Sequence, residues 1–483
     1  MARGARRPYS VPREWDFREG TTDVRATDIR IREVYFEYED FRYRSPIKFG
    51  GVALDRVTVL NVRMGVESGA GKTAAGVGSM PMGNVWAYPS RALTYDQTLG
   101  AMKFAVSRVA EDYRACGLAG HPVDITHRLE PEFFLAAQDF NALHRPADPV
   151  PKLAVLVVAS AFDAALHDAY GKLHGLNCFR TYTREFLPED LGHYLGAEFD
   201  GLHLGNFVTQ QAKPKMPLYH LVGALDALTP ADVTNPIRDG LPEHLGEWIR
   251  RDGLTHLKIK LNGDDLAWDV ARCVAVNAVA EEVQAKRGAR SWWYSLDFNE
   301  RCQNVQYLLE FLKQLRDRSP AAYDRVQYVE QPTARDLAAH PQNKMHEAAK
   351  LKPVVIDESL LDLETLKLSM EMGYSGVAFK ACKGQTQSLL LAAAAQKYGL
   401  FRCVQDLTCV GPSLIHSASL AAHVPGVAAI ESNGRQYCPV ANAPWDAKFP
   451  GVFTITDGTM NTALLDGPGL GTTPAEPPVT TAK

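Results

Sequence analysis

From about residue 216 the chain settles into a regular rhythm. Short apolar runs, at 218–222, 257–261, 293–296, 327–329, 354–356, 376–379, 402–404 and 428–430, alternate with longer stretches of helical spacing. Runs that are apolar on both faces predict strands covered on both sides. Eight repeats of strand then helix predict an α/β fold of the (β/α)8-barrel type. An open doubly wound sheet uses the same units. Eight of them, with no Gly-rich fingerprint after the first run, favour the closed form.

Upstream the pattern differs. Ile29-Arg30-Ile31-Arg32-Glu33-Val34 and Arg56-Val57-Thr58-Val59-Leu60-Asn61-Val62 alternate as half-exposed strands. A Gly- and Pro-rich stretch at 76–89 precedes helical segments at 95–116 and 152–174. In the second, Leu156, Ala159, Phe162, Ala165 and Leu166 fall near helical spacing. These elements predict a small α+β capping domain over 28–180, behind a charged arm at 1–27. Residues 181–215 carry Gly192, Gly196, Gly201 and Gly205 without a period, and read as an insertion or linker. The barrel then runs over 216–446. A C-terminal segment, 447–483, returns to the capping domain, with a Pro- and Thr-rich tail from Asp466 expected to be mobile.

Composition narrows the classes. A chain of 483 residues predicts more than one domain, and 46% hydrophobic residues supply a large core. A net charge of −4 gives no field for nucleic acid or an anionic membrane. The 8 cysteines include no C-x-x-C pair, which argues against zinc and for free thiols in a reducing, cytoplasmic setting. Arg3, Arg6 and Arg7 are not followed by an apolar stretch, so no secretory signal is expected. The apolar runs at 153–159 and 389–395 are too short to span a bilayer. Residues 65–73 resemble a phosphate-binding loop. Val66 stands where the first Gly is needed, and the preceding strand belongs to a meander, so nucleotide binding is not expected there.

The chemistry sits at the strand ends. The second to sixth strands end at Lys260, Asp297, Glu330, Asp357 and Lys380, and the eighth at Glu431. The first five are 37, 33, 27 and 23 residues apart, steps that suit one strand–helix unit each. In a barrel these ends meet on one rim. Three carboxylates gathered there repel one another unless a cation neutralises them, and hard oxygen ligands select Mg²⁺. A lysine on either side of such a cation can act as a base near neutral pH. That arrangement suits removal of a proton next to a carboxylate. Lys258 faces the same way as Lys260 and is expected to tune it by like-charge repulsion. Pattern alone does not choose between Asp357 and Glu358, or between Lys380 and Lys383. Asp357 and Lys380 are taken, with Glu358 as a supporting partner. His416 reads as structural, and Asn299 and Gln331 as support groups.

Lys258-x-Lys260, Asp297-x-Asn299, Glu330-Gln331-Pro332, Asp357-Glu358-Ser359 and Lys380 resemble, in order, the strand-end motifs of the enolase superfamily. The likeness is to its mandelate racemase/muconate lactonising branch, of the two-lysine type. Residues 165–172, Ala-Leu-His-Asp-Ala-Tyr-Gly-Lys, resemble the helical signature leading into its barrel. The resemblance implies Asp297, Glu330 and Asp357 as Mg²⁺ ligands, and Lys260 and Lys380 as acid/bases on opposite faces of the substrate. It implies Glu431 lining the site, and specificity loops at 41–54 and 78–89. Within or beside these, Arg42, Arg44, Lys48 and Asn299 are substrate-binding candidates, the three cations toward a distal anionic group.

There are departures. The family's second Gly after Lys-x-x-Lys is replaced by Gln385. The seventh strand carries Gln405-Asp406 where mandelate racemases have His. Glu431-Ser432-Asn433 is not the Asp-x-Asp of dipeptide epimerases. The expected function is a Mg²⁺-dependent racemase or epimerase acting through an enediolate on a small carboxylate, in a homo-oligomer. An acid-sugar dehydratase or a cycloisomerase shares its first step. A barrel that binds Mg²⁺ and ligand without turnover is the alternative of another class.

Overall fold

The computed structural model describes residues 24–49 and 51–475. Most of the N-terminal arm and the last eight residues lie outside the described residues. Three antiparallel strands, β1 (Ile29–Phe49), β2 (Val52–Ser68) and β3 (Thr73–Pro81), form the capping sheet. The phosphate-loop look-alike is the β2–β3 turn, closed by Gly71 N donating to Ser68 O at 2.9 Å.

Helices Tyr95–Ala115, Pro122–His144 and Lys152–His174 complete the cap. The last is buried along nearly all its length and lies against β3. Gly76 and Gly78 make that approach possible: a Cβ there would meet Ala165 O at 2.2 Å and Ala161 O at 1.9 Å. Asp168 of the same helix accepts from Val77 N at 2.8 Å, Leu470 N at 2.8 Å and Thr472 Oγ1 at 2.7 Å. It ties cap sheet and C-terminal segment together. By length and apolarity this helix could cross a membrane, but it is enclosed by the rest of the protein.

The barrel comprises β4 (Lys215–Val222), β5 (His256–Lys260), β6 (Trp293–Asp297), β7 (Val326–Glu330), β8 (Val354–Ile356), β9 (Gly376–Lys380), β10 (Phe401–Gln405) and β11 (Val427–Glu431). All eight pair in parallel in chain order, and β11 closes on β4. Each predicted run overlaps one of these strands, with Leu261 alone falling past the end of its strand, β5. A short β12 (Thr459–Asn461) adds antiparallel to the start of β4. The interior beneath the rim is filled by Tyr219, Tyr328, Val355, Ala378, Cys403 and Ala429.

Two stretches differ from the sequence expectation. Residues 181–215 are no free linker: Phe199 and Leu204 are buried, and Thr209 N and Lys213 N donate to His423 O and Ala422 O at 2.8 and 2.9 Å. Short turns and 3-10 segments give this stretch no period to read. The tail from Asp466 is anchored as far as residue 475, with Leu470 fully buried.

Candidate active site

The β-sheet register sets the rim. Lys260 pairs with Asp297, and Asp297 with Glu330. These three side chains therefore stand at one level and point inward. Lys260 Nζ contacts Asp297 Oδ2 and donates to Asn299 Oδ1 at 3.1 Å. Lys380 Nζ lies 2.8 Å from Asp357 Oδ2. Lys260 is on β5 and Lys380 on β9, four strands away in an eight-strand ring, so the lysines face each other across the acids.

The residues after the strands hold the acids in place. Asn299 and Glu300 turn the chain back at φ 46° and 58°, and Asn299 N donates to Asp297 Oδ1 at 2.7 Å. Gln331 accepts from Asp357 N at 3.0 Å and donates to Ser359 Oγ at 2.9 Å, fixing the end of β8. Glu358 points away from the acids, and accepts from Trp86 Nε1 at 3.0 Å. Burial and Asp357 push its carboxyl up to about 7.

Lys258 has a further role beside the expected like-charge tuning, since its charge also acts against the Lys380 ammonium. Its Nζ lies within 3.1 Å of Asp297, Glu330 and Glu431, and donates to Gln405 Oε1 at 2.9 Å. Burial alone would lower this ammonium, but Glu330, Glu431 and Asp297 hold it well above the ordinary lysine value. It is a fixed counter-ion for the acids. Lys383 is buried, and its Nζ contacts Asp357 O and lies 3.3 Å from Asp357 Oδ1. Burial works to raise the Asp357 carboxyl, yet Lys380 and Lys383 keep it below its usual range.

Of the substrate-binding candidates, Asn299 and Lys48 reach the site. Lys48 Nζ donates to Asn262 Oδ1 at 3.1 Å, just beyond β5. Arg42 does not reach it; it is on the exposed side of the hairpin, paired with Asp55 at 2.9 Å. Arg44 is held by Asp239 in the loop after β4, at 2.6 and 2.9 Å. A register shift between Arg42 and Ile47 reorients this strand. His416 is buried on helix Pro412–His423 and kept neutral, at about 4, by burial. Sequence reading missed Trp86, whose ring lies 4.4 Å from Lys380 Nζ, and Arg335, which donates to Trp86 O at 3.1 Å.

Among the described residues no three His, Cys, Asp or Glu side chains stand ready-set around a metal position. Lysine ammonium groups lie between the acids instead. The donor set nevertheless fits a divalent cation. Asp297, Glu330, Asp357, Glu358, Asp406 and Glu431 are six buried carboxyl groups against the four buried ammoniums of Lys258, Lys260, Lys380 and Lys383. With all six ionised, as a bound cation would favour, the cluster is two positive charges short; without one, burial and neighbouring acids push Glu358 and Asp406 up to about 7, and their protons make up the difference. Glu358 Oε2 is also buried without a hydrogen bond.

Residues 241–477 match the sequence profile of the Enolase C-terminal domain-like family. Among solved structures, the L-Ala-D/L-Glu epimerase from Bacillus subtilis is similar at 17% identity over 92% of this chain and 100% of its own, with a TM-score of 0.59. The muconate lactonizing enzyme from Pseudomonas fluorescens, complexed with muconolactone, is similar at 15% identity over 92% and 97%, TM-score 0.58. An enolase from Bradyrhizobium, complexed with magnesium and mandelic acid, is similar at 16% identity over 92% and 95%, TM-score 0.57. At such identities the likeness is one of fold. No curated protein sequence matches the chain.

Proposed function

We propose that this chain is an enzyme of the enolase superfamily, whose profile its residues 241–477 match and whose members are isomerases and lyases, and that it removes the proton next to a substrate carboxylate with the help of Mg²⁺. The observation that carries this reading is the pair of buried lysines, half a barrel apart, with three buried carboxylates between them. Asp297, Glu330 and Asp357 would hold Mg²⁺. When bound, the ion supplies the positive charge that a carbon acid beside a carboxylate needs in order to ionise.

The remaining work falls to side chains of this chain. One lysine, as the free amine, takes the α-proton; the other, as the ammonium, returns a proton to the opposite face. The outcome is racemisation or epimerisation, through an enediolate form of the substrate. A matched acid and base on opposite faces is worth roughly two to four powers of ten in rate. Lys258 keeps Asp297, Glu330 and Glu431 charged and in register, and Gln331 fixes Asp357. Trp86 lies over Lys380, and the Phe49 ring centroid is 5.6 Å from Lys260 Nζ.

The test is α-proton exchange in D₂O, followed by NMR, against acid sugars, N-acyl amino acids and lactones. Mg²⁺-dependent exchange into at least one of them is expected, and EDTA should abolish it. A full panel without exchange would remove the proposal and favour a barrel that binds without turnover.

A further inference from the structure

The two flanks of the site are built differently. On the Lys380 side, Trp86 closes the space. Its indole is bonded to Glu358 at 3.0 Å, its carbonyl to Arg335 at 3.1 Å, and its ring stands over Lys380 and Lys383 at 4.4 and 5.7 Å. On the Lys260 side lies a cavity of about 200 Å³ between Lys48 and Gly51 of the cap and the end of β5. It is walled mainly by polar groups: Lys48, Asn262, Asp264, Asn299 and Arg301. Asp264 and Arg301 pair with each other. Lys48 has only the neutral amide oxygen of Asn262, at 3.1 Å, and among the described residues no carboxylate pairs with it. A half-buried ammonium beside the reacting centre, with no counter-ion among the described residues, is complementary to an anion.

We propose that the substrate carries a second anionic group, carboxylate or phosphate, on a short arm lodged in this cavity against Lys48. This rests on the reading that the reacting carboxylate sits at Asp297, Glu330 and Asp357. The cavity falls below the range of about 300–1,000 Å³ usual for larger ligands, so the arm is a few atoms long. Asn299 accepts from Lys260, and Asn262 from Lys48, so the arm's anion would meet both lysines' immediate neighbours.

The test is calorimetric binding to the full chain with Mg²⁺, using glutarate, 3-phosphonopropionate and valerate. At least one of the two dianions should bind about tenfold or more tighter than valerate, the gain expected of one charge-assisted contact. The gap should close in Lys48→Ala and persist in Lys48→Arg. Equal binding of all three probes, a gap that survives Lys48→Ala, or no binding at all would overturn the proposal. Repeating the titrations with EDTA separates the two readings. Mg²⁺-dependent binding without discrimination sinks the cavity assignment alone, whereas discrimination that ignores Mg²⁺ sinks the metal site and leaves the cavity.

Discussion

Two layers of the same barrel interior lie one side-chain step apart and behave oppositely. The lower layer holds Ser295, Tyr328, Val355, Ala378, Cys403 and Ala429; the upper holds Asp297, Glu330, Asp357, Lys380, Gln405 and Glu431. Each upper residue is two positions further along the same strand, roughly 6.6 Å away and pointing the same way. The lower layer is a neutral, packed plug. The upper layer keeps charged groups out of water, at a cost in stability that only pairing offsets. Lys258 joins the two: its backbone pairs with Ser295 in the lower layer, while its ammonium reaches three acids of the upper one. Stability belongs to one layer and chemistry to the other, within a single strand.

Substitutions separate the layers, the largest effect coming from the upper one. Lys260→Ala or Lys380→Ala should slow α-proton exchange by about three powers of ten, the middle of the range for acid–base groups. Circular dichroism should show the fold retained; exchange at the wild-type rate would break the division. Lys258→Ala, at the junction, leaves buried acids unpaired and should cost about 3–5 kcal/mol in urea unfolding. A loss below about 1 kcal/mol, as for an exposed pair, would mean that the hub does not hold the layers together. Val355→Ala, in the plug, should cost about 1.5–3 kcal/mol while leaving exchange kinetics unchanged. An effect on exchange as large as that of the lysines would show that the layers are not separable. Arg42→Ala, outside both, should change melting and exchange by no more than an exposed ion pair allows, about 0–1 kcal/mol.

Much of this was legible in the chain. The eight strands announce themselves because both faces are buried, and the rim acids and lysines follow because strand ends share one level. What was not legible depends on contacts distant in sequence. Trp86 meets Arg335 and Glu358, 249 and 272 residues away, and no local spacing encodes that. Arg42 and Arg44 looked like Lys48 in sequence. Which of them faces the site is set by the irregular register between Arg42 and Ile47. Lys383 reaches Asp357 because Ala381–Lys383 forms a 3-10 turn, which brings residues three apart onto one side. The role of Lys258 as a counter-ion needed the positions of Glu431 and Gln405, on strands far along the chain.

The central claim is that Lys260 and Lys380 act on opposite faces of one carbon acid. The direct measurement is exchange of the α-proton in D₂O, with Mg²⁺, on each separate enantiomer of an active substrate, in Lys260→Ala and in Lys380→Ala. The account predicts a split: each variant loses exchange with one enantiomer by about a thousandfold, and the two variants lose opposite enantiomers. Loss of the same enantiomer in both variants, or exchange that survives in both, would contradict it.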